Sequence, residues 1–485
     1  MAARTRLLLF GLAAGTAIAF SLPPWGFWPL GIAGFALFVA ALRDQSRRGR
    51  LLVGTAVGTA MFGIGLFWIT EFQAFGFVAL LILETSFVAA AAIITPPGRT
   101  GPFVLPAALV LAEAARGAVP FGGLPLGGAA LGQAAGPLAT ATRVGGPLLL
   151  LGITVALGSA LVELAARRWL AAAVLATIAV AAALIGAGDT GPPAGAPMRI
   201  AAVQGGGIRG LRAVESDPNA VYQRQLQASA EVQPPIDVVV WPEDVVDLDE
   251  ELAASPERKE IGGLAVYLDT TLIAGVVEPA GLEHFRNAAV AFGPDGSIVD
   301  RYEKVHRVPF GEYIPLRGLI QHLASLALAP RDAIPGHGPG LLKTPAGPLG
   351  VVISYEVFFP DRARAAIRAG GDILLAPTNA SSFRTSQVPT QEVAAARLRA
   401  LETGRDVVQA APTGYCAVID SHGRVLSRSV LGRQEVLTGV VHRRHGRTLY
   451  LRWGDGPVLL LAIGIIGVCW FRERRLTDRS TDGKP

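Results

Sequence analysis

Apolar residues are distributed very unevenly along this 485-residue chain. Long uncharged apolar runs fill residues 1–190, residues 198–450 have the composition of a globular domain, and one further apolar run follows. A helix needs about 20 apolar residues to cross the hydrocarbon core of a bilayer. Eight runs approach this length, seven of them before the globular region: residues 7–20, 28–42, 51–69, 74–94, 103–115, 147–162, 170–186 and 457–470. The pattern predicts a seven-span membrane domain over 1–190, a soluble domain over 198–450 and a C-terminal transmembrane helix over 457–471.

The globular region alternates between short β-type runs and longer helical patterns. The predicted strands are 199–203, 236–241, 271–277, 287–292, 298–302, 351–353, 373–375 and 406–411, and the predicted helices are 220–232, 257–268, 359–369 and 391–402. Turn residues Gly-Pro-Asp-Gly at 293–296 join two of these strands as a hairpin. This order predicts an α/β domain with mixed sheets and helices on their outer faces.

Arginine marks alternate loops between the predicted spans. Positive residues precede the first span and follow the second, fourth, sixth and last spans, whereas the intervening loops hold almost none. Basic loops favour the cytoplasm, so the soluble domain is predicted on the extracytoplasmic side, with both termini in the cytoplasm. Arg443, Arg444, Arg447 and Arg452 run against this bias, but long translocated domains are largely exempt from the rule. Because these loops explain the formal net charge of +5, nucleic acid is not an expected partner.

Composition narrows the chemistry further. The chain is 51% hydrophobic and 17% charged, with a mean hydropathy of +0.43, which is too apolar for a single soluble domain. Its two cysteines, Cys416 and Cys469, lie in different predicted regions, and neither CxxC nor HExxH occurs. Gly205, Gly207 and Gly210 form a GxGxxG pattern, but no helix start follows it directly. No disulfide, metal or cofactor is therefore expected.

One apolar run ends abruptly in a polar turn. Ser354, Tyr355 and Glu356 follow the predicted strand at 351–353, and a helical pattern begins at Phe359. A strand that turns sharply before a helix lifts a small side chain out of the sheet, where it can meet a substrate. The pattern therefore predicts that Ser354 is presented at the end of its strand.

Two other predicted strands also lead into charged residues. Glu243 follows Trp241 and Pro242 at the end of a buried run, and the segment R-Y-E-K-V-H-R-V-P-F-G-E contains Lys304 and Glu312. Lysine is rare in this chain, where arginine carries most of the positive charge. A compact ammonium with a movable pKa is a candidate for catalysis. The alternative is that Lys304 forms a surface ion pair with the neighbouring Glu303.

Together these segments resemble the nitrilase superfamily, whose members use a Glu-Lys-Cys triad in an αββα sandwich. The match is more specific to one branch, the bacterial apolipoprotein N-acyltransferases, and extends over nearly the whole chain. The shared motifs are P-P-W-G-F-W-P-L, V-Q-G, W-P-E, R-Y-x-K-x-H-x-V-P-F-G-E-Y-I-P-L and Y-L-R-W-G-D. The resemblance implies a multi-pass α-helical membrane domain joined to an extracytoplasmic αββα nitrilase-like sandwich.

The resemblance also implies a catalytic triad. Glu243 is similar to the family's general base, Lys304 to the lysine that stabilises the transition state, and Ser354 occupies the position of the nucleophile. The implied reaction takes an acyl chain from a phospholipid and passes it to the α-amine of a lipoprotein's diacylglyceryl-cysteine. The expected partners are a phospholipid acyl donor, diacylated apolipoproteins and the bacterial plasma membrane.

Supporting residues match as well, but the nucleophile does not. Glu312 matches the family's second essential glutamate, and Tyr355 and Glu356 match the pair that follows the nucleophile. Ser354 replaces the family's cysteine, and the family's T-N-D-x-W-F segment reads T-N-A-S-S-F at residues 378–383. A hydroxyl is a weaker nucleophile than a thiol. Two alternatives therefore stand beside the acyltransferase: an impaired paralogue that binds lipoproteins or assists a second, active acyltransferase, and a membrane-tethered amidase.

Overall fold

The structure, a computed structural model, describes residues 2–71, 74–188, 194–207, 217–318, 331–380 and 387–482. Two of the sequence patterns extend outside these ranges: Gly210 of the GxGxxG pattern and residues 381–383 of the T-N-A-S-S-F segment. The chain folds as two compact units. Met1–Asp189 and Thr448–Pro485 form the first, which is helical, and Thr190–Arg447 forms the second, which is α/β.

The first unit consists of α-helices and short 3-10 turns. Seven of its α-helices come first in the chain: α1 (Ala2–Ser21), α2 (Trp28–Leu42), α3 (Arg47–Gly65), α4 (Ala74–Ile94), α5 (Gly101–Arg116), α6 (Thr142–Ala165) and α7 (Trp169–Gly188). Two more, Leu449–Trp453 and Gly456–Asp482, follow the α/β unit, and the 3-10 turns are Phe67–Glu71, Ala129–Gln133 and Ala139–Ala141. Long apolar runs favour helices because a helix satisfies its backbone hydrogen bonds internally.

Within the described residues, four helical segments are long and apolar enough to cross a membrane. They are Ala74–Ile94, Ala139–Ala165, Trp169–Gly188 and Gly456–Arg475. The other four predicted spans coincide with α1, α2, α3 and α5, which are shorter or less apolar. The count of eight spans therefore remains a prediction.

Several charged side chains inside the helical unit are paired. Arg116 is 2% exposed, and its guanidinium lies 2.6 Å from Glu84 and 2.8 Å from Glu113. Glu163 on α6 is likewise buried and lies 2.6 Å from Arg43. A charge removed from water is costly unless it is paired. These contacts therefore allow the helices to carry charges at interior positions.

The second unit alternates strands and helices in the order that the hydrophobic pattern predicts. Its strands are β1 (Met198–Gln204), β2 (Val238–Val240), β3 (Val246–Asp247), β4 (Thr271–Pro279), β5 (His284–Phe292), β6 (Ile298–Glu303), β7 (Asp332–Ala333), β8 (Leu341–Thr344), β9 (Gly347–Val351), β10 (Ile373–Pro377), β11 (Val407–Ala410), β12 (Ala417–Ile419), β13 (Val425–Arg428) and β14 (Glu435–Val441). Its helices are α8 (Pro218–Ser229), α9 (Pro256–Leu268), α10 (Pro360–Arg368) and α11 (Gln387–Thr403), and a 3-10 turn spans Ser354–Phe358.

The described strands form two sheets. One has eight strands in the order β14-β1-β2-β4-β5-β6, with β3 paired to β4 and β7 to β5, and the other has six in the order β13-β12-β11-β10-β9-β8. Strand β14, which the sequence pattern does not predict, pairs antiparallel with β1 along its full length. Such a pairing joins residues more than 200 positions apart, so only the folded chain reveals it.

Successive side chains of a strand face opposite sides of its sheet, and β1 shows this clearly. Ala201 and Val203 belong to the core beneath α8 and α9, whereas Ile200 and Ala202 belong to a second core shared with β9, β10 and β11. Helices α10 and α11 pack on the outer face of the six-stranded sheet. The layers therefore run helix, sheet, sheet, helix, and the predicted αββα fold class is confirmed.

Candidate active site

Three strands end just before the residues singled out by the sequence. Glu243 lies three residues beyond β2, Lys304 directly follows β6, and Ser354 lies three residues beyond β9. The first two strands belong to the eight-stranded sheet and the third to the six-stranded sheet. The site is therefore assembled from both sheets of the sandwich.

Lys304 lies at the centre of a buried hydrogen-bonded cluster. Its Nζ donates to Glu243 Oε1 at 2.7 Å and to Glu312 Oε1 at 2.8 Å. Asn287 on β5 donates from Nδ2 to the same two oxygens, at 2.9 and 3.0 Å. The side chains of Lys304 and Glu243 are 2% and 5% exposed. The cluster thus holds two carboxylates around one ammonium, with a neutral amide fixing their spacing.

The two glutamates keep Lys304 charged. Burial by itself acts to lower a lysine's pKa, because it disfavours the charged form. Here the charges of Glu243 and Glu312 and their hydrogen bonds outweigh burial, and the pKa of Lys304 is raised above its usual value. An ammonium has three N–H groups, and only two of those on Lys304 have partners among the described residues. The third is available to an oxyanion.

The alternative pairing of Lys304 with Glu303 is wrong. Glu303 instead lies 3.3 Å from Arg301, in a half-buried contact on the other side of the strand. Glu312 is fixed by its own loop, because Val308 donates its backbone N–H to Glu312 Oε2 at 2.7 Å. That bond leaves Oε1 of Glu312 directed at the ammonium.

Ser354 has an unusual backbone conformation. Its φ is +49°, in the left-handed region that costs energy for a residue with a Cβ. It begins the 3-10 turn Ser354–Phe358, and helix α10 follows at Pro360. This is the strand, turn and helix that the pattern predicts. The half-buried Ser354 hydroxyl lies 3.4 Å from Thr378 Oγ1 at the end of β10.

Glu356 ties the turn that carries Ser354 to the loop that carries Lys304. Its side chain is fully buried. Oε1 accepts the backbone N–H groups of Val305 at 2.8 Å and His306 at 3.1 Å, and Oε2 accepts that of Ile353 at 2.9 Å. Val305 and His306 directly follow Lys304 in the chain, and Ile353 directly precedes Ser354. One carboxylate therefore sets the distance between two parts of the site.

Tyr302 and Arg362 complete the surroundings of this carboxylate. The Tyr302 hydroxyl lies 2.8 and 2.9 Å from the two oxygens of Glu356, and Arg362 lies 3.7 Å from one of them. Burial, followed by the charge of Glu356, raises the pKa of Tyr302. The phenol therefore remains a donor throughout the physiological range.

Tyr355 packs into a group of rings beside the turn. Its ring centroid lies 5.0 Å from that of Phe359 in an edge-on arrangement, and Phe359 stacks on His306 at 4.0 Å. Tyr355 is 6% exposed. These ring contacts stabilise the packing of the turn at Ser354 against the segment that follows Lys304, in addition to the hydrogen bonds of Glu356.

Two polar residues of the site were not predicted. Asn287 interrupts the apolar side of β5, and Glu392 is a buried acid in an alanine-rich part of α11. Glu392 Oε1 lies 2.7 Å from Thr378 Oγ1. In both cases the sequence held one signal that could have identified the residue. A polar side chain stands at a position that the strand or helix pattern assigns to the core.

Comparison with known proteins identifies the family. The carbon-nitrogen hydrolase model matches residues 199–448, and the model of the apolipoprotein N-acyltransferase N-terminal domain matches residues 14–161. The apolipoprotein N-acyltransferase of Pseudomonas syringae pv. tomato is 31% identical, with 95% of each chain aligned. That of Azotobacter vinelandii is also 31% identical, over 98% of this chain and 96% of the relative. The chain belongs to the apolipoprotein N-acyltransferase family.

Solved structures with a related fold include Saccharomyces cerevisiae Nit3, a member of branch 10 of the nitrilase superfamily. It is 22% identical, with a TM-score of 0.39, over 51% of this chain and 90% of Nit3. An amidase from Nesterenkonia sp. is 21% identical, with a TM-score of 0.39, over 55% of this chain and 97% of the amidase. Apolipoprotein N-acyltransferases are membrane-bound, and this member has the four long apolar helices given above.

In this member of the apolipoprotein N-acyltransferase family, Cys416 is not placed to act as a nucleophile. Cys416 is fully buried in the core between the sheets, where its Sγ lies 3.3 Å from the backbone nitrogen of Ala411. Burial raises the pKa of its thiol to about 12. A thiol that is neither ionised nor accessible does not react. In the ranges that the structure describes, no group of three or more His, Cys, Asp or Glu side chains could hold a metal ion.

Proposed function

We propose that this protein is an apolipoprotein N-acyltransferase. It would move an acyl chain from a phospholipid to the α-amine of a lipoprotein's diacylglyceryl-cysteine. The observation that carries the proposal is the buried cluster of Glu243, Lys304 and Glu312 at the strand ends where Ser354 is presented. It occurs in a chain that is similar over 95% of its length to a named N-acyltransferase. Burying charged groups is costly even when they are paired. An ammonium buried between two carboxylates therefore supports a role in catalysis.

In the first half of the reaction, Ser354 Oγ attacks the ester carbonyl of the phospholipid. Its proton passes to Glu243, whose Oε1 is held by Lys304 while Oε2 has no hydrogen-bond partner among the described residues. The carbonyl oxygen becomes an oxyanion, which the third N–H of Lys304 stabilises. The ester C–O bond then breaks, and the leaving alkoxide takes the proton from Glu243. The products are an acylated Ser354 and a lysophospholipid.

In the second half, the neutral α-amine of the lipoprotein attacks the acyl-serine carbonyl. Glu243 accepts a proton from the nitrogen, the C–N bond forms, and Lys304 again holds the oxyanion. The bond from the carbonyl carbon to Ser354 Oγ breaks, and this oxygen regains a proton. An acyl intermediate divides one difficult transfer into two easier ones.

The arrangement in the membrane is part of the proposal. Residues 1–190 and 457–471 would span the bilayer, and residues 198–450 would lie on the extracytoplasmic side, with both termini in the cytoplasm. The alternation of basic and neutral loops supports this orientation. Single cysteines placed at Ser297 and at Arg47, the first residue of α3, in a protein lacking its two native cysteines would test it. An impermeant maleimide applied to intact spheroplasts should label the first and spare the second.

One observation favours a second candidate function. Serine at the nucleophile position reacts less readily than cysteine. A protein with this exchange could instead bind lipoproteins for a second acyltransferase paralogue, which would then be a partner. The two functions make different predictions for Ser354→Cys.

The test is mass spectrometry of a lipoprotein N-terminus in cells that lack every other family member. The cells carry the wild type, Ser354→Ala, Ser354→Cys or the surface control Ser297→Ala. N-acylation by the wild type and the control, lost in Ser354→Ala, is the expected result. N-acylation by Ser354→Cys alone would favour the lipoprotein-binding paralogue. No N-acylation by any variant, with release of ammonia from small amides, would favour a membrane-tethered amidase and overturn the proposal.

A further inference from the structure

Glu392 is a buried acid that the reaction above leaves unused. It lies on α11 and is 4% exposed. Its Oε1 lies 2.7 Å from Thr378 Oγ1, and Thr378 Oγ1 lies 3.4 Å from Ser354 Oγ. Its second oxygen, Oε2, is buried and has no hydrogen-bond partner among the residues that the structure describes. Glu392, Thr378 and Ser354 therefore form a continuous chain of oxygen atoms that ends at the proposed nucleophile.

The direction of this chain depends on one proton. A threonine hydroxyl has a single hydrogen, so Thr378 cannot donate to Glu392 and Ser354 at once. If Glu392 is ionised, Thr378 donates to it and can only accept a proton from Ser354. If Glu392 is protonated, it donates to Thr378, and Thr378 donates to Ser354 Oγ. Only the second arrangement leaves the proton of Ser354 free to move to Glu243.

The surroundings of Glu392 favour the protonated form. An ionised carboxylate with one oxygen buried and unpartnered carries a large desolvation cost, whereas a neutral acid carries much less. Burial raises the pKa of Glu392 to about 8; the charge of Glu243 adds to this, and the Thr378 hydrogen bond and the charge of Lys304 oppose it. Lys304 itself stays charged, and Glu243 and Glu312 are its paired carboxylates. Glu392 is therefore the facing group that changes charge near pH 8.

A serine needs such a donor more than a cysteine does. When the amine attacks the acyl carbon, a cysteine is displaced as a thiolate, whose conjugate acid has a pKa of about 8.5. Serine leaves as an alkoxide, a far stronger base, so a proton must reach Ser354 Oγ as its bond to the acyl carbon breaks. Thr378 is the described residue in hydrogen-bonding range of that oxygen. The 3.4 Å separation is long, but such contacts often tighten only when substrate binds.

We infer that Glu392, acting through Thr378, donates the hydrogen bond and the proton that Ser354 Oγ requires to leave from the acyl intermediate. The inference rests on the proposed function and deepens it. In the second half of the reaction, the Thr378 proton passes to Ser354 Oγ as the O–C bond breaks, and the Glu392 proton passes to Thr378. Glu243 has meanwhile taken a proton from the amine. That proton returns along Ser354 and Thr378 to Glu392, which restores all three groups.

Two measurements on the purified full-length protein in proteoliposomes test this role. The first is the rate of covalent labelling of Ser354 by a fluorophosphonate, which does not depend on acyl transfer to a lipoprotein. Labelling of the wild type should fall above pH 8, where Glu392 becomes ionised. Thr378 then donates its hydrogen bond to Glu392, and Ser354 donates to Thr378 instead of to Glu243. Glu392→Gln, whose amide does not change charge with pH, should lose this fall. Thr403→Val should keep it, because Thr403 is a buried threonine on the same helix whose hydroxyl donates to the backbone carbonyl of Arg399.

The second measurement is transfer to a synthetic diacylated lipopeptide, followed by mass. Glu392→Ala should reduce the rate about 100-fold, which is the low end of general acid catalysis, with little change in the KM for lipopeptide. The same substitution in a Ser354→Cys protein should have a much smaller effect, because a thiolate leaves without a proton. A purely structural role of Glu392 would slow both proteins equally.

The outcomes separate this inference from the proposed function. Labelling with the expected pH profile but without lipopeptide transfer would overturn the N-acyltransferase and leave the relay standing. Transfer that falls equally in the serine and cysteine proteins would overturn the relay and leave the N-acyltransferase standing. Labelling that rises above pH 8 would show that Glu392 acts as a base instead of a donor. Neither labelling nor transfer would overturn both.

Discussion

Replacing Glu356 by glutamine tests whether one carboxylate holds the two parts of the site together. The substitution preserves size and removes one hydrogen-bond acceptor. Both oxygens of Glu356 now accept backbone N–H groups, from Val305 and His306 on one side and from Ile353 on the other. A glutamine has a carbonyl on one side only, so its NH₂ group must face at least one of these donors.

The size of the effect follows from the bonds lost. In the wild type, the backbone N–H of Ile353 donates to Glu356 Oε2 at 2.9 Å. If the glutamine oxygen faces Val305 and His306, its NH₂ group faces the N–H of Ile353, which then has no acceptor. A buried donor left unsatisfied costs about 1–3 kcal/mol, and a hydrogen bond to a charged group contributes a similar amount. A displacement of the turn that costs about 3 kcal/mol in the transition state slows the reaction about 100-fold. The expected loss is therefore in kcat, with the KM values for both lipids nearly unchanged.

Steady-state transfer to a diacylated lipopeptide in proteoliposomes measures this loss. Glu435→Gln is the matched control, because Glu435 also accepts a backbone N–H, from Val430 at 3.1 Å, but in an exposed position. Water replaces the lost acceptor there, so a change below about threefold is expected, as for most surface substitutions. Equal kcat values for Glu356→Gln and Glu435→Gln would refute the assignment of Glu356 as the residue that spaces Ser354 from Lys304.

Three further predictions concern the cluster, the buried acid and the cysteine. Lys304→Met leaves Glu243 and Glu312 buried without their cation, which should lower stability by about 3–5 kcal/mol. It also removes the proposed oxyanion donor, so transfer should fall about 100- to 1,000-fold while the exposed Lys343→Met stays active; comparable rates would exclude Lys304 from the site. The pKa of Glu392 is about 8 in the folded protein against a usual 4.5. Between pH 4.5 and pH 8 the folded state therefore keeps a proton that the unfolded chain has lost. Thermal stability should fall as the pH rises through this range. Glu392→Gln should abolish this part of the decline in Tm, and parallel Tm profiles would contradict the shift. Cys416→Ala should keep lipopeptide transfer within a fewfold of the wild type; complete loss, with normal folding by circular dichroism, would make Cys416 the nucleophile.

Local pattern was sufficient for much of this protein because the relevant forces act over short stretches. Uninterrupted apolar runs predict the helices of residues 1–190, and short apolar runs bounded by turn residues predict most strands of the α/β unit. The turn at Ser354 was also predictable, since it depends on an apolar strand, three polar residues and a helical pattern in direct succession. The family resemblance then indicated which of the polar residues belong to the site.

Long-range contacts decided the rest. The pairing of β14 with β1, the amide of Asn287 between Glu243 and Glu312, and the three oxygens from Glu392 to Ser354 join segments far apart in the sequence. Local periodicity has no information on which side chains meet across two sheets, because that depends on how the layers pack. The sequence by itself therefore determined most of the elements, the fold class and the first candidate residues. Only the tertiary structure decided that Lys304 is buried between two carboxylates, that Glu356 spaces it from Ser354, and that Glu392 lies behind the serine, because burial and pairing are properties of the packed core.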